Sequence, residues 1–135
     1  NFMRHCVAYG LFPGCFSHNA SEGHYFTRPD IYNRDRPLFR KYVPLCRKLS
    51  EAGWRPQNVL VSSADAKVFV EQFGDRYVTV FNSNGKAVRA RLSARGGARA
   101  AELVDGGAVV FGADGSAEVE LAPDAVRVLD FGEAR

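Results

Sequence analysis

The second half of the sequence repeats one pattern, in which short segments of alternating apolar and polar residues are separated by turn-forming residues. In the segment 86–93, for example, Val88, Ala90 and Leu92 are apolar and most of the residues between them are polar. A period of two is typical of β-strands that have one face in water. This alternation constrains the fold more than any other feature, because it predicts sheets rather than helices for residues 58–131.

Glycine-containing turns separate these segments. Pairs such as Asn84-Gly85 and Asp114-Gly115 provide the positive φ angles that tight hairpin turns require. Strands separated by such turns at a spacing of about eight to twelve residues predict an antiparallel β-sandwich. The expected strands are 58–62, 66–73, 76–82, 86–93, 99–104, 107–112, 116–121 and 125–131.

The first part of the chain follows a different pattern. Residues 6–16 are nearly all apolar, which is typical of a segment buried on both faces. A short helix over about residues 1–9, followed by a strand near 10–16, fits this stretch as well as a single strand does. Residues 17–35 show no clear period, and loops of that length inside compact domains tend to be functional.

An amphipathic helix is predicted to begin near Asn33 or Asp35, because either residue can cap its N-terminus. Pro44 lies inside this helix and is expected to kink it. Gly53 is expected to form the C-terminal cap. The apolar stripe of the helix consists of Leu38, Tyr42, Leu45, Leu49 and Ala52.

Composition excludes several classes of protein. With 135 residues, of which 46% are hydrophobic and 24% charged, the chain fits one globular domain. No apolar run approaches the roughly 20 residues of a membrane helix, so we expect a soluble protein without a membrane partner. The first residues lack a signal-peptide pattern and an initiator Met, so the sequence reads as the interior of a longer chain and its localisation stays unknown.

The net charge of +3 is unevenly distributed. Residues 1–57 contain nine Lys and Arg against four Asp and Glu, whereas residues 58–135 contain nine against eleven. The basic residues of the first part fall mainly on the predicted helix, where a solvated outer face accounts for them. A nucleic-acid partner is therefore not expected.

The cysteines and the known catalytic motifs also exclude several kinds of site. Cys6, Cys15 and Cys46 are odd in number and include no CxxC pair, which argues against a disulfide framework and a structural zinc site. Cys46 falls beside the apolar stripe and is expected to be a small core residue. The sequence has no GxSxG, HExxH, phosphate-binding loop or dinucleotide-binding fingerprint. We therefore expect neither a metal ion nor a cofactor.

The order of elements is that of the end of a larger enzyme: a buried strand, a polar loop, a helix and then a β-sandwich. Residues 9–20, Tyr9-Gly-Leu-Phe-Pro-Gly-Cys-Phe-Ser-His-Asn-Ala, resemble the last barrel strand and loop of a bacterial group of predicted glycoside hydrolases. Residues 33–54, from Asn-Arg-Asp-Arg-Pro to Glu-Ala-Gly-Trp, are similar to the final helix of the same group. Residues 76–83, Arg76-Tyr-Val-Thr-Val-Phe-Asn-Ser, resemble a strand of amylase-type C-terminal sandwiches.

This resemblance implies a mainly β fold, an antiparallel β-sandwich preceded by the last strand, loop and helix of a (β/α)8 barrel. Residues 1–54 would be the end of the TIM barrel, with strand 8, the active-site loop and helix 8. Residues 55–135 would be the C-terminal antiparallel β-sandwich. The chain would be the C-terminal portion of a glycoside hydrolase and inactive alone. Its partner would be the remainder of the barrel, N-terminal to this chain, which carries the catalytic carboxylates; their identity is unknown.

The loop 17–28 is the expected site of contact with a carbohydrate substrate. Sugars present hydroxyl groups around an apolar ring face, so their sites combine hydrogen-bonding side chains with aromatic platforms. The candidate substrate-binding residues are Phe16, Ser17, His18, Asn19, Glu22 and Tyr25. For His18, substrate contact and a structural hydrogen bond within the loop are equally good interpretations. His24 is interpreted as structural, and His5 as a core histidine.

Two alternatives stay open, a non-catalytic carbohydrate-binding module and a structural β-sandwich module. A binding module needs exposed aromatic residues on its strands, but the strand half contains one Tyr, Tyr77, and the single Trp of the chain, Trp54, falls in the predicted linker. A barrel fragment, by contrast, is expected to leave Leu11, Phe12 and the helix stripe without partners. Residues 1–53 would then be sensitive to proteases while residues 56–131 resist them.

Overall fold

The computed structural model describes residues 2–14 and 27–132. In these residues the chain is mainly β, with two α-helices followed by nine strands in two antiparallel sheets. The helices are α1 (Phe2–Ala8) and α2 (Pro29–Ala52), neither of which is long and apolar enough to cross a membrane. The strands are β1 (Trp54–Arg55), β2 (Ser62–Ser63), β3 (Val68–Phe73), β4 (Tyr77–Asn82), β5 (Val88–Ser93), β6 (Arg99–Glu102), β7 (Ala108–Val110), β8 (Ser116–Leu121) and β9 (Val126–Asp130).

The elements form three layers. A six-stranded sheet with the order β1-β3-β4-β9-β6-β7 lies in the middle. Helices α1 and α2 pack on one face of this sheet, and a three-stranded sheet with the order β2-β5-β8 packs on the other. One apolar core therefore lies between the helices and the larger sheet, and a second lies between the two sheets. The predicted antiparallel β-sandwich is confirmed.

Strand β4 is buried along its whole length. It pairs with β3 on one side and with β9 on the other. Tyr77 and Phe81 face the helices, whereas Val78 and Val80 face the smaller sheet. Because these four side chains lie on both faces of the strand, each face contributes to a core.

The predicted strands from 66–73 onward each contain an observed strand. The first predicted strand, 58–62, is wrong over most of its length, because only Ser62–Ser63 forms β2. Asn58 explains the difference, since its Oδ1 accepts hydrogen bonds from the backbone N–H groups of Leu60 and Val61, both at 3.1 Å. A side chain thus takes the place of a neighbouring strand as the partner of this backbone.

Helix α2 is longer than predicted and begins at Pro29 rather than at Asn33 or Asp35. Proline is well suited to the first helical turn, where its missing N–H has no intrahelical partner to lose. Asp30 follows it in the first turn and complements the positive end of the helix dipole. The helix then continues through Pro44 as one element.

The apolar stripe of α2 finds partners within this chain. Tyr42, Leu45 and Leu49 are buried in the core between the helices and the larger sheet, so the expectation that they lack partners is wrong. Cys46 is also fully buried there, as predicted, and burial raises the pKa of its thiol to about 11. Gly53 ends the helix with a φ of 82°, and its N–H donates to Leu49 O at 3.0 Å, which confirms the predicted cap.

Helix α1 matches the alternative in which a short helix opens the chain. Gly10 closes it with a φ of 63°, and its N–H donates to the carbonyl of Val7 at 3.2 Å. The N–H of Leu11 donates to the carbonyl of Cys6 at 2.8 Å, which completes a Schellman cap. Residues 11–14 are neither helix nor strand, so the predicted strand does not form there, and residues 15 and 16 lie outside the described residues.

We expect Gly10→Ala to lower the free energy of unfolding by about 2–4 kcal/mol. The new Cβ would lie 2.3 Å from Phe73 Cε1, at a backbone angle that L-residues rarely adopt. Gly85→Ala is the matched control, because an added Cβ there meets nothing within 4 Å, and it should change stability by about 0.5 kcal/mol or less. Urea denaturation measures both variants. Equal stabilities would contradict this account of the α1 cap.

Asp130 closes the end of β9 with a two-point ion pair. Its carboxylate oxygens lie 2.6 and 2.9 Å from Nε and Nη2 of Arg76, and the Arg76 guanidinium lies 5.0 Å from the ring centre of Tyr77. The hydrogen bonds from Arg76 hold the pKa of Asp130 below its ordinary value. Because the folded-state pKa is the lower one, the ionised form stabilises the fold above the unfolded pKa, and this contribution is lost as pH falls through the folded pKa.

Asp130→Asn should therefore lower the free energy of unfolding at neutral pH by about 1–3 kcal/mol. The deficit should shrink as the pH falls below about 4, the ordinary pKa of an Asp, and disappear once the pH has fallen through the lower folded-state pKa. Asp75→Asn is the control, because Asp75 forms an exposed pair with Arg55 and should contribute little. Denaturation curves at several pH values measure the difference. A deficit for Asp130→Asn that persists unchanged into acid would show that the ion pair is not its cause.

Candidate functional site

The six predicted substrate-binding residues lie outside the residues that the structure describes. These are Phe16, Ser17, His18, Asn19, Glu22 and Tyr25. The structure does describe the two ends that hold this segment, residues 11–14 after α1 and residues 27–29 at the start of α2. The carbohydrate-binding role of the loop 17–28 therefore stays a prediction.

The first end is fixed by the packing of α1 on β4. Thr79 Oγ1 donates a hydrogen bond to Ala8 O at 2.6 Å inside the core. The ring of His5 lies 4.7 Å from the ring of Phe81 and is tilted by 56°. His5 is exposed, so its interpretation as a core histidine is wrong. Together these contacts fix the point from which the chain enters residues 11–14.

Thr79→Val should lower the free energy of unfolding by about 1–3 kcal/mol, because it leaves the Ala8 carbonyl buried without a donor. Thr79→Ser keeps the hydroxyl group and should lose less. Chemical denaturation gives the stability, and hydrogen exchange of the α1 amides shows whether the loss is local to α1. If Thr79→Val and Thr79→Ser are equally stable, the hydrogen bond to Ala8 contributes nothing to holding α1.

Helix α2, which follows the second end, is joined at its middle by ion pairs to the turn between β6 and β7. Lys41 Nζ lies 2.7 Å from Asp105 Oδ1, and Arg127 contacts the other oxygen of the same carboxylate. The hydrogen bond from Lys41, followed by that from Arg127, holds the pKa of Asp105 below its ordinary value. These charges neutralise one another and fix α2 against the sheet.

Glu102 is a buried carboxylate with a structural role. Its two oxygens accept hydrogen bonds from the backbone N–H groups of Val104 and Asp105, both at 2.8 Å. Arg127 Nη1 lies 3.5 Å from Oε2 of the same side chain. The carboxylate therefore shapes the turn between β6 and β7 and is already engaged by donors.

A shallow groove with a volume of about 360 Å³ lies beside this turn, between the edge strands β7 and β8. Its acidic residues include Glu102, Asp105 and Glu118. The first two contact Arg127, and Glu118 forms an exposed pair with Arg89 at 2.9 Å. These are the contacts of structural ion pairs rather than of a general acid and base poised to share a proton.

Asp30, in the first turn of α2, is the described carboxylate that most closely follows the predicted loop 17–28. Nε and Nη2 of Arg28 lie 3.2 and 3.1 Å from its two oxygens, and both side chains are exposed. The hydrogen bonds from Arg28 hold the pKa of Asp30 below its ordinary value. An ionised carboxylate has no proton to donate at neutral pH, so this environment does not suit a general acid. Among the described residues, no three His, Cys, Asp or Glu side chains come together as a metal site.

Large apolar side chains are exposed near the two ends of the predicted loop. Leu11 and Phe12 are 58% and 67% exposed, and Leu38 on α2 is also exposed. The first half of α2, residues 29–40, contains no buried residue and extends about 18 Å along the helix axis. Phe39 packs at the edge of the core, but the buried residues of this helix, Tyr42, Leu45, Cys46 and Leu49, all lie in its second half.

The structure also brings together three residues that sequence reasoning did not combine. Trp54 belongs to β1 and not to a linker, and it pairs with Phe73 of β3. Its indole Nε1 donates a hydrogen bond to Glu71 Oε2 at 2.7 Å. Trp54 and Phe69 are 57% and 44% exposed. The alternation of Phe69, Glu71 and Phe73 is visible in the sequence, but the position of Trp54 beside them depends on the pairing of β1 with β3.

Comparisons with known proteins assign no family. No family model and no curated protein matches the sequence. A solved structure of a catalytic mutant of Gan42B, a GH42 beta-galactosidase from G. stearothermophilus, is 20% identical over 73% of this chain, with a TM-score of 0.38. A second structure of Gan42B is 19% identical over 76% of this chain, with the same TM-score. This chain spans 12% and 13% of the length of those two chains.

Proposed function

We propose that this chain is the C-terminal portion of a glycoside hydrolase. Residues 17–28 contact the carbohydrate substrate, residues 55–135 form a structural sandwich, and the catalytic carboxylates lie in a barrel N-terminal to this chain. The proposal rests first on the resemblance of residues 9–20 and 33–54 to the last strand, loop and helix of barrel glycosidases. In such barrels, residues that follow the ends of strands form the active site.

The contrast between the two halves of α2 is the observation that carries this proposal. Tyr42, Leu45 and Leu49 are buried on the sheet, whereas residues 29–40 contain no buried residue. A helix that bridges two bodies is expected to look like this, with one half packed on each. The barrel of the proposal is the second body.

Exposed apolar side chains before the loop, directly after α1, also support a barrel as the partner of this chain. Leu11 and Phe12 follow α1 directly and are more than half exposed. Burying a side chain of this size stabilises an interface by about 1.5–3 kcal/mol. A barrel packed against residues 11–14 and 29–40 would cover these side chains and hold both ends of residues 17–28.

The described carboxylates support the expectation that the chain alone is inactive. Asp30 is paired with Arg28, and Asp105 is paired with Lys41 and Arg127. A glycosidase needs two carboxyl groups about 5–10 Å apart across the scissile bond, one of them able to carry a proton. The proposal therefore places both on the barrel.

A second candidate function, a carbohydrate-binding β-sandwich, is favoured by one observation. Trp54 is exposed on β1, and a hydrogen bond to Glu71 holds its indole ring. A carbohydrate-binding module requires such an exposed aromatic side chain on its strands. This candidate does not need a barrel.

The upstream part of the reading frame tests the main proposal first. We expect roughly 250 residues in which strands and helices alternate, with Asp or Glu at the ends of strands. An upstream region without this alternation would remove the barrel and with it the enzymatic role.

In the full-length protein, the double variant His18→Ala/Asn19→Ala should lower kcat/KM on nitrophenyl glycosides by about tenfold or more, which corresponds to the loss of at least one substrate hydrogen bond. Lys86→Ala, in the exposed connection between β4 and β5, is the control and should leave kcat/KM unchanged. Thermal unfolding distinguishes a lost substrate contact from a destabilised loop. An unchanged kcat/KM in the double variant would exclude these two side chains as substrate contacts.

A further inference from the structure

The helix-facing side of the six-stranded sheet has an uncovered edge. Helix α1 packs over β4 and β9, and β1 and β3 lie at the edge beyond it. Phe69 pairs with Phe81, and Glu71 pairs with Thr79, whose hydroxyl group bonds to α1. Residues directly opposite each other in an antiparallel pair point to the same face. Phe69 and Glu71 therefore lie on the face that carries the helices, at a place where the helices leave Phe69 exposed.

Trp54 extends this exposed surface onto β1. It pairs with Phe73, which belongs to the core under the helices, so Trp54 lies on the same face. Phe69 precedes Phe73 by four positions in β3, a distance of about 13 Å along the strand, with Glu71 midway. The two aromatic rings thus lie in a row with a carboxylate between them.

The hydrogen bond between Trp54 and Glu71 preorganises this row of side chains for ligand binding. It holds the indole ring in one orientation, so less side-chain entropy is lost when something stacks on the ring. It engages only Oε2 of Glu71, and Oε1 has no hydrogen-bond partner among the described residues. An acceptor oxygen is therefore available between the two rings.

The size and polarity of the row fit a small polar ligand better than a protein partner. Trp54 and Phe69 together expose on the order of 200 Å² of aromatic surface, whereas a stable protein interface buries about 800 Å² on each side. A protein interface would also bury the open carboxylate oxygen of Glu71 at a cost. A sugar has an apolar ring face for the aromatic platform and hydroxyl groups that can donate to Glu71.

We propose that Trp54, Glu71 and Phe69 form an oligosaccharide-binding surface on the edge of the larger sheet, separate from residues 17–28. Trp54 stacks on one sugar ring, Phe69 contacts a ring further along the chain, and Glu71 accepts a hydroxyl group between them. The surface exists in a structural module as well as in an enzyme, so it does not rest on the glycoside hydrolase proposal. Because the row is longer than one sugar, it should prefer oligosaccharides to monosaccharides.

Fluorescence gives the first test, because Trp54 is the only tryptophan of the sequence. The 135-residue chain is titrated with cellotetraose, β-1,4-galactotetraose and the two corresponding monosaccharides. We expect a saturable change in emission with at least one tetrasaccharide, and affinity at least about tenfold weaker for its monosaccharide, which cannot reach both rings. If neither tetrasaccharide changes the emission, or if the monosaccharide binds equally well, the proposal is overturned.

Calorimetry on variants assigns the binding to these residues. Trp54→Ala should weaken the affinity for the tetrasaccharide by about tenfold or more, and Phe69→Ala and Glu71→Gln by several-fold each. Val110→Ala is the matched control, because Val110 is an exposed apolar residue on β7, at the opposite edge of the same sheet, and should bind like wild type. Circular dichroism checks that each variant is folded. Phe69→Ala keeps the test open if Trp54→Ala fails to fold, and wild-type affinity in both variants would overturn the assignment.

Two further outcomes distinguish other occupants and the other proposal. Emission that changes with protein concentration in the absence of sugar, together with a dimer in sedimentation that Trp54→Ala abolishes, would assign the row to a second copy of this chain and overturn the proposal. The loop variant His18→Ala/Asn19→Ala should leave the tetrasaccharide affinity of this surface unchanged. Failure of the loop proposal and failure of this one are therefore separate results.

Discussion

Burial of β4 on both faces is the constraint on which the rest of the structure depends. A strand with Tyr77 and Phe81 on one face and Val78 and Val80 on the other needs an apolar layer on each side. The smaller sheet provides one layer and the two helices provide the other. The helices are therefore part of what stabilises the sandwich, and the core around Cys46 and Leu49 belongs to both.

Apolar burial alone would not fix where the helices lie on the sheet, because it has no direction. Hydrogen bonds and ion pairs have a direction, and they fix the position of each helix on the sheet. Thr79 bonds to the end of α1, and Lys41 joins α2 to Asp105 in the turn between β6 and β7. The N-terminal end of the segment that precedes α2 is thereby held on a rigid scaffold, a common arrangement for loops that bind ligands.

The charges of the described residues fall into two groups with different consequences for function. Most carboxylates are engaged by a cation or by backbone N–H groups, as Asp30, Glu102 and Asp130 are, and they hold structure. Glu71 differs, because one of its oxygens orients an exposed indole ring and the other faces no donor in residues 2–14 or 27–132. Among the described residues, these carboxylates thus hold structure or orient a ring, which fits the binding of a sugar proposed above better than its cleavage.

The sequence alone determined the strands from residue 66 onward, because alternation and turn glycines such as Gly74 and Gly115, both with positive φ, are local signals. It also determined the stripe and the C-terminal cap of α2. Only the tertiary structure decided how far α2 extends, that Asn58 replaces a strand partner, and that the stripe packs on this chain's own sheet. Six candidate residues of the site were named from side-chain chemistry, and they lie outside the described residues. The row of Trp54, Glu71 and Phe69 could not be predicted, because it depends on the pairing of two strands that lie more than ten residues apart in sequence.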